Sequence, residues 1–115
     1  MYYAGAINRQ GSYAQLQAVD SRIAAKKPRT LDFAQAAALP LTAITAWETL
    51  FDRLDVNKPV AGGANALLLI GGAGGVGSLA IQLLKKRTDI QVIATASRPE
   101  SRAWVEKLGA DFVIN

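Results

Sequence analysis

Among its 115 residues the sequence has no cysteine and no histidine. The first absence removes a disulfide framework and any thiolate metal site. With the second, zinc held by this chain would have carboxylate ligands alone, so no metal site is assigned. No run approaches the ~18–20 apolar residues of a membrane helix, and the N-terminus lacks the basic-then-apolar layout of a signal peptide. The expectations are therefore no membrane and a cytoplasmic location. Basic residues outnumber acidic ones by 13 to 9, but apart from Lys26-Lys27, Lys85-Lys86-Arg87 and the pair Arg98 and Arg102 they are scattered. That pattern argues against a nucleic-acid surface. Half of the residues are hydrophobic, enough for one modest core.

What is present divides by texture. From Tyr2 to Val19 an apolar start, the turn-prone Asn8-Arg9-Gln10-Gly11 and the alternation of Ala14, Leu16 and Ala18 with Gln15 and Gln17 read as a β-hairpin with one buried face. A polar link, Asp20 to Thr30, follows. Asp32 can cap a short helix through Ala38, and Pro40 suits the first turn of a second helix ending near Arg53. Ile44, Trp47, Leu50 and Leu54 form its apolar stripe, and Asp55 to Ala66 a linker.

Leu67 to Ile70 is an unbroken apolar run, expected as a buried strand, that stops at Gly71-Gly72-Ala73-Gly74-Gly75-Val76-Gly77. Val76, Leu79, Ala80, Leu83 and Leu84 then recur at helical spacing. Gln91 to Ala96 reads as a second strand, Pro99 to Leu108 as a helix closed by Gly109, and Phe112 to Ile114 as a third strand. Right-handed crossovers place these strands in a parallel sheet of order 3-2-1. The fold class is α/β, half of a Rossmann doubly wound sheet. Strand 1 is left with an unpaired edge.

Gly72, Gly74 and Gly77 match G-x-G-x-x-G between strand and helix, where glycines permit a tight turn and free N–H groups face a pyrophosphate. A P-loop is excluded because no lysine follows Gly77. Read from Gly71, the stretch also fits G-x-x-x-G-x-G, so the glycines alone do not choose between dehydrogenase families.

Gly11-Ser12-Tyr13-Ala14, then Ala36-Ala37-Ala38-Leu39-Pro40-Leu41-Thr42-Ala43-Ile44-Thr45-Ala46-Trp47, then the glycine turn, then Leu108-Gly109-Ala110-Asp111 resemble, in that order, the medium-chain dehydrogenase/reductase superfamily. Within it they are similar to the quinone oxidoreductase-like branch, often labelled zinc-type alcohol dehydrogenase-like. The resemblance covers nearly the whole chain. It implies an internal fragment of a longer enzyme: residues 1–30 would be the C-terminal part of a GroES-like substrate domain and its link, the hairpin being a remnant of that domain. Residues 31–115 would be the first half of an NAD(P)-binding Rossmann domain. The resemblance also places Thr45 near the nicotinamide. Where zinc-dependent relatives carry a metal ligand, about four positions earlier, this chain has Leu41, which cannot ligate zinc.

NAD-specific Rossmann domains hold the ribose 2′-hydroxyl with an acidic residue about 20 positions past the glycines. Here Ser97 and Arg98 stand there, a hydroxyl and a guanidinium suited to a 2′-phosphate, with Arg102 a second candidate. The expected cofactor is NADPH, bound by Thr45, Gly72, Gly74, Gly75, Val76, Gly77, Ser97, Arg98 and Arg102. The expected activity is zinc-independent hydride transfer to a quinone or an activated alkene or carbonyl. A homo-oligomer is expected, with no nucleic-acid partner. Tyr2, Tyr3, Tyr13, Trp47 and Trp104 read as packing residues, and no general acid is named. The competing expectation is a non-catalytic nucleotide-binding or interaction module.

Overall fold

The computed structural model describes residues 1–3, 8, 9 and 11–115. They divide into two compact units, Met1–Leu41 and Thr42–Asn115. In the first, Asp20 caps a single 3₁₀ turn, Ser21–Ile23, by accepting from the Arg22 N–H. Helix α1, Phe33–Ala37, starts as expected at Asp32. That carboxylate accepts from the Gln35 N–H at 2.7 Å while the Gln35 side chain accepts from the Asp32 N–H at 3.1 Å, a reciprocal capping box.

The expected hairpin is not seen: among the described residues no strand precedes Ala66. Residues 4–7 and Gln10, on which its first strand and part of its turn fall, lie outside the described residues. Ala14, Leu16 and Ala18 are described and join no strand, and Leu16 is 91% exposed. Two strands alone are marginal in water. A hairpin with one apolar face needs a further strand or a helix to cover it.

Helix α2, Leu39–Trp47, spans the division between the units and passes into a π-helical segment, Glu48–Arg53. The extra residue in a π turn changes the phase of the apolar stripe. Of Ile44, Trp47, Leu50 and Leu54 only Leu50 is buried, joined by Ala46 one turn earlier, while Leu54 is 61% exposed.

Strands β1 (Ala66–Leu69), β2 (Gln91–Thr95) and β3 (Phe112–Ile114) are parallel with β2 central, the expected order. The register Leu67↔Val92 and Leu69↔Ala94↔Val113 puts these residues on one face. Helices α3 (Gly75–Arg87) and α4 (Pro99–Leu108) pack there, and the core they enclose contains Ile81, Leu84, Val92 and Val105, all inaccessible to solvent. Each such side chain contributes about 1.5–3 kcal/mol by leaving water. The opposite face carries Leu68, Ile70, Phe112 and Ile114, from 45% to 81% exposed. β1 is therefore covered on one face only, not buried as its apolar run suggests. The buried stripe of α3 is Gly77, Ala80, Ile81 and Leu84, rotated from the expected one so that Val76 is exposed, because Gly77 is pressed against the glycine turn.

Leu108-Gly109-Ala110-Asp111 closes α4 and fastens β3. Gly109 takes the left-handed conformation, φ 105°, and its N–H donates to Glu106 O while that of Ala110 donates to Val105 O. Asp111 then pairs with β2 twice: its N–H donates to Val92 O at 2.9 Å and its carboxylate accepts from the Val92 N–H at 2.7 Å. Lys85 Nζ donates to both carboxylate oxygens, at 2.8 and 2.9 Å. The Lys85 ammonium, with the Val92 N–H second, holds the Asp111 carboxyl below the usual carboxylate range.

A depressed carboxyl stabilises the fold above its unfolded value, near ~4, and that contribution is lost as pH falls through the lower folded value. Because the Asp111 side chain is 31% exposed, solvent screens the ion pair. The bond to the N–H of fully buried Val92 is the larger loss. Asp111→Ala is expected to cost about 1–2 kcal/mol at pH 7. Denaturant titrations of both proteins at pH 7 and in strong acid check this: the gap should narrow in acid, and a gap equal at both would contradict it.

Candidate functional site: the cleft beside the glycine turn

A cleft of about 440 Å³ opens at the C-terminal ends of β1 and β2, the end at which open α/β sheets bind ligands. Its wall includes Gly71 and Gly74 from the glycine turn, Thr95 and Ser97 from the end of β2, and Arg98 and Ser101 from the start of α4. The sheet topology thus brings together two segments that lie about 20 residues apart in sequence.

Each glycine in the turn answers a different local demand. Gly71 has φ +70°, a conformation other residues adopt only under strain. A Cβ on Gly72 would lie 2.8 Å from Ala94 Cβ, and one on Gly77 would lie 2.7 Å from both Gly71 O and Gly72 O. Gly72 and Gly77 are buried and serve the close seating of α3 on the turn. Gly74, Gly75 and Val76 are exposed at its front. Gly74 is the N-cap of α3 and provides no side-chain cap, and the first helical bond runs from the Ser78 N–H to Gly74 O at 2.8 Å. The N–H groups of Gly75, Val76 and Gly77 therefore precede the helical ladder at the positive end of its dipole. A cradle that a Cβ would fill, closed by uncapped donors, fits a diphosphate.

Ser97 and Arg98 are both exposed. Arg98 is the N-cap of α4, fixed by Ser101, whose hydroxyl accepts from the Arg98 N–H at 3.2 Å and donates to Arg98 O at 2.8 Å. Among the described residues the ion pairs are Arg22–Asp20, Lys58–Asp55 and Lys85–Asp111, so the Arg98 guanidinium is not neutralised by a carboxylate there. Arg102 is placed differently. Its guanidinium donates to Ala96 O at 3.3 Å and Val113 O at 3.2 Å, tying the ends of β2 and β3 together.

On α2, a Cβ on Gly75 would meet Thr42 Cγ2 at 3.0 Å, so this helix abuts the start of α3. Thr45, one turn further on, has an exposed side chain. Neither tryptophan is the core residue expected: Trp47 is 40% and Trp104 44% exposed. Trp104 Nε1 donates to Ser78 Oγ at 2.8 Å, bridging α4 to the first turn of α3, and Trp47 packs on Phe51 with ring centroids 4.8 Å apart. Tyr13 is fully exposed. Six residues of the cleft, Gly71, Ala73, Thr95, Ala96, Ser101 and Asn115, were not among the expected ones. Gly71 heads the glycine run, Thr95 reads as ordinary strand composition, and only the position of Ser101, three residues after Arg98 at a helix start, hints at its role.

No protein-family model matches the chain. Individual proteins do. A zinc-type alcohol dehydrogenase-like protein of Staphylococcus aureus is 48% identical over 116 aligned residues, covering all of this chain and 34% of that protein. Over its whole length this chain is similar to the zinc-type alcohol dehydrogenase-like, quinone oxidoreductase-like family of medium-chain dehydrogenases/reductases. It spans about a third of the length of such curated relatives. An NADPH-dependent alkenal/one oxidoreductase of Arabidopsis thaliana is 42% identical over 105 residues, 91% of this chain and 26% of that protein. Among solved structures of the family, a Rhizobium etli protein assigned to the zinc-dependent alcohol dehydrogenases superposes with a TM-score of 0.91 at 64% identity, over 97% of this chain and 33% of that one. A mycobacterial protein complexed with NADPH superposes with a TM-score of 0.64 at 29% identity, over 83% of this chain and 27% of that one.

Proposed function

We propose that this chain is the NADPH-binding segment of a zinc-independent oxidoreductase that reduces a quinone or an activated alkene or carbonyl. The observation that carries the reading is Arg98, a guanidinium without a carboxylate partner among the described residues, in a cleft whose other wall is an uncapped glycine turn. The backbone of Gly74 to Gly77 would hold the pyrophosphate, with Gly72 and Gly77 letting α3 approach. Ser97 and Arg98 would hold the 2′-phosphate; Arg102 is the second candidate, two of its donors already being used by the sheet. Thr45 would lie beside the nicotinamide. NADPH supplies the hydride when bound, and the chain's own part is to fix the dinucleotide's position and counter its charge.

The NADPH-bound mycobacterial relative and the NADPH-dependent Arabidopsis relative support the cofactor, and the alkenal/one class of the latter supports the acceptor. Zinc independence rests on Leu41, which cannot ligate zinc, at the position of a metal ligand in zinc-dependent relatives. The domain assignment stays part of the proposal: residues 1–30 from a GroES-like substrate domain, 31–115 from the Rossmann domain. Turnover by the full-length protein tests it. Consumption of NADPH in the presence of a quinone or an enone is expected, unaffected by a chelator and at least about tenfold more efficient than with NADH. Binding without turnover of either acceptor class would favour a non-catalytic nucleotide-binding module, and loss of activity with a chelator would refute zinc independence.

A further inference from the structure

We propose that Thr95 is a positioning residue for the dinucleotide: its hydroxyl sets the geometry of the glycine turn and so the affinity for whatever that turn holds. Thr95 is the last residue of β2 and grips the turn twice. Its Oγ1 accepts from the Gly71 N–H at 2.8 Å, and its carbonyl accepts from the Gly72 N–H at 3.1 Å. The first bond restrains the residue at which the chain reverses, since Gly71 has φ +70°. The restraint is passed on, because Gly71 O accepts from the Gly74 N–H at 3.0 Å and lies 2.7 Å from the Cβ position of Gly77. Gly74 is the N-cap of α3, so a displacement of Gly71 re-aims the donors of the helix's first turn.

This bond serves position more than stability. Gly71 is exposed, so water can take over its N–H if the hydroxyl is removed. Valine keeps the shape of threonine and its strand preference while deleting the acceptor. The inference rests on the nucleotide-binding reading of the cleft, but not on the 2′-phosphate: the turn faces the part that NADPH and NADH share.

The test uses Thr95→Val and Thr95→Ser in the full-length protein, with Kd for NADPH and for NADH measured by calorimetry, and with backbone amide exchange and Tm measured without cofactor. Thr95→Val is expected to weaken both dinucleotides equally, by about fivefold, and to speed exchange at Gly71. The cofactor-free Tm should stay within about 2 °C, and Thr95→Ser should restore affinity and protection. Unchanged Kd values, failure of serine to rescue, or a loss that tracks a fall in Tm would each overturn the proposal. A wild-type protein indifferent to the 2′-phosphate would instead end the NADPH reading, while the factor lost on both dinucleotides would still report on Thr95.

Discussion

Gly77→Ala is expected to lower NADPH affinity about a hundredfold or more and to destabilise the three-stranded α/β unit by about 2–3 kcal/mol. The added methyl would sit 2.7 Å from Gly71 O and Gly72 O and 2.8 Å from Gly72 Cα. All three are backbone atoms, so no side chain can rotate away to make room. Either α3 retreats from the turn, carrying the donors of its first turn with it, or the turn opens. Both outcomes spoil the cradle. Calorimetric titration with NADPH and thermal unfolding of the full-length protein check the two effects together. Binding at wild-type strength in Gly77→Ala would mean that the seating of α3 on the turn is not what holds the ligand.

Arg98→Ala is expected to weaken NADPH by about thirtyfold while leaving NADH within about twofold, the range for charge-assisted bonds to a phosphate that the protein does not otherwise neutralise. The NADPH affinity of the wild type should also fall more steeply than that of the variant as salt is added. Arg102→Ala separates the two candidates. With its guanidinium bound to Ala96 O and Val113 O, its removal should reduce stability first and shift the cofactor preference less. The reverse ranking would move the phosphate site from Arg98 to Arg102.

Much of the α/β part with its three-stranded parallel sheet was legible because local signals and packing agree there. The strand, glycine turn and helix at Leu67 to Arg87, the helix cap at Asp32 and the glycine stop at Gly109 all appear where their chemistry puts them. Faces were less legible than elements. Periodicity gives the width of a stripe but not its phase: the π segment after Trp47 and the pressure of Gly77 on the turn set the phases of α2 and α3. β1 reads as buried because its residues are apolar on both faces, yet only Leu67 and Leu69 face a helix layer. At Ala14, Leu16 and Ala18 the alternation defines a face but supplies no strand or helix to cover it.

At the site, charge and glycine were readable, whereas hydrogen bonds between distant segments were not. Thr95 carries no sequence signal that separates it from strand composition, and Ser101 has only its position at a helix start. Trp104 finds its acceptor 26 residues away, on Ser78. Such contacts follow from the crossover that brings α4 alongside α3, which no local pattern encodes.

The most direct measurement is the ratio of the NADH and NADPH dissociation constants of the wild-type full-length protein, determined at one ionic strength. With Ser97 and Arg98 at the end of β2 and no carboxylate partner for that guanidinium among the described residues, NADPH should bind about ten- to a hundredfold more tightly. Equal constants would contradict the assignment of the cleft to a 2′-phosphate.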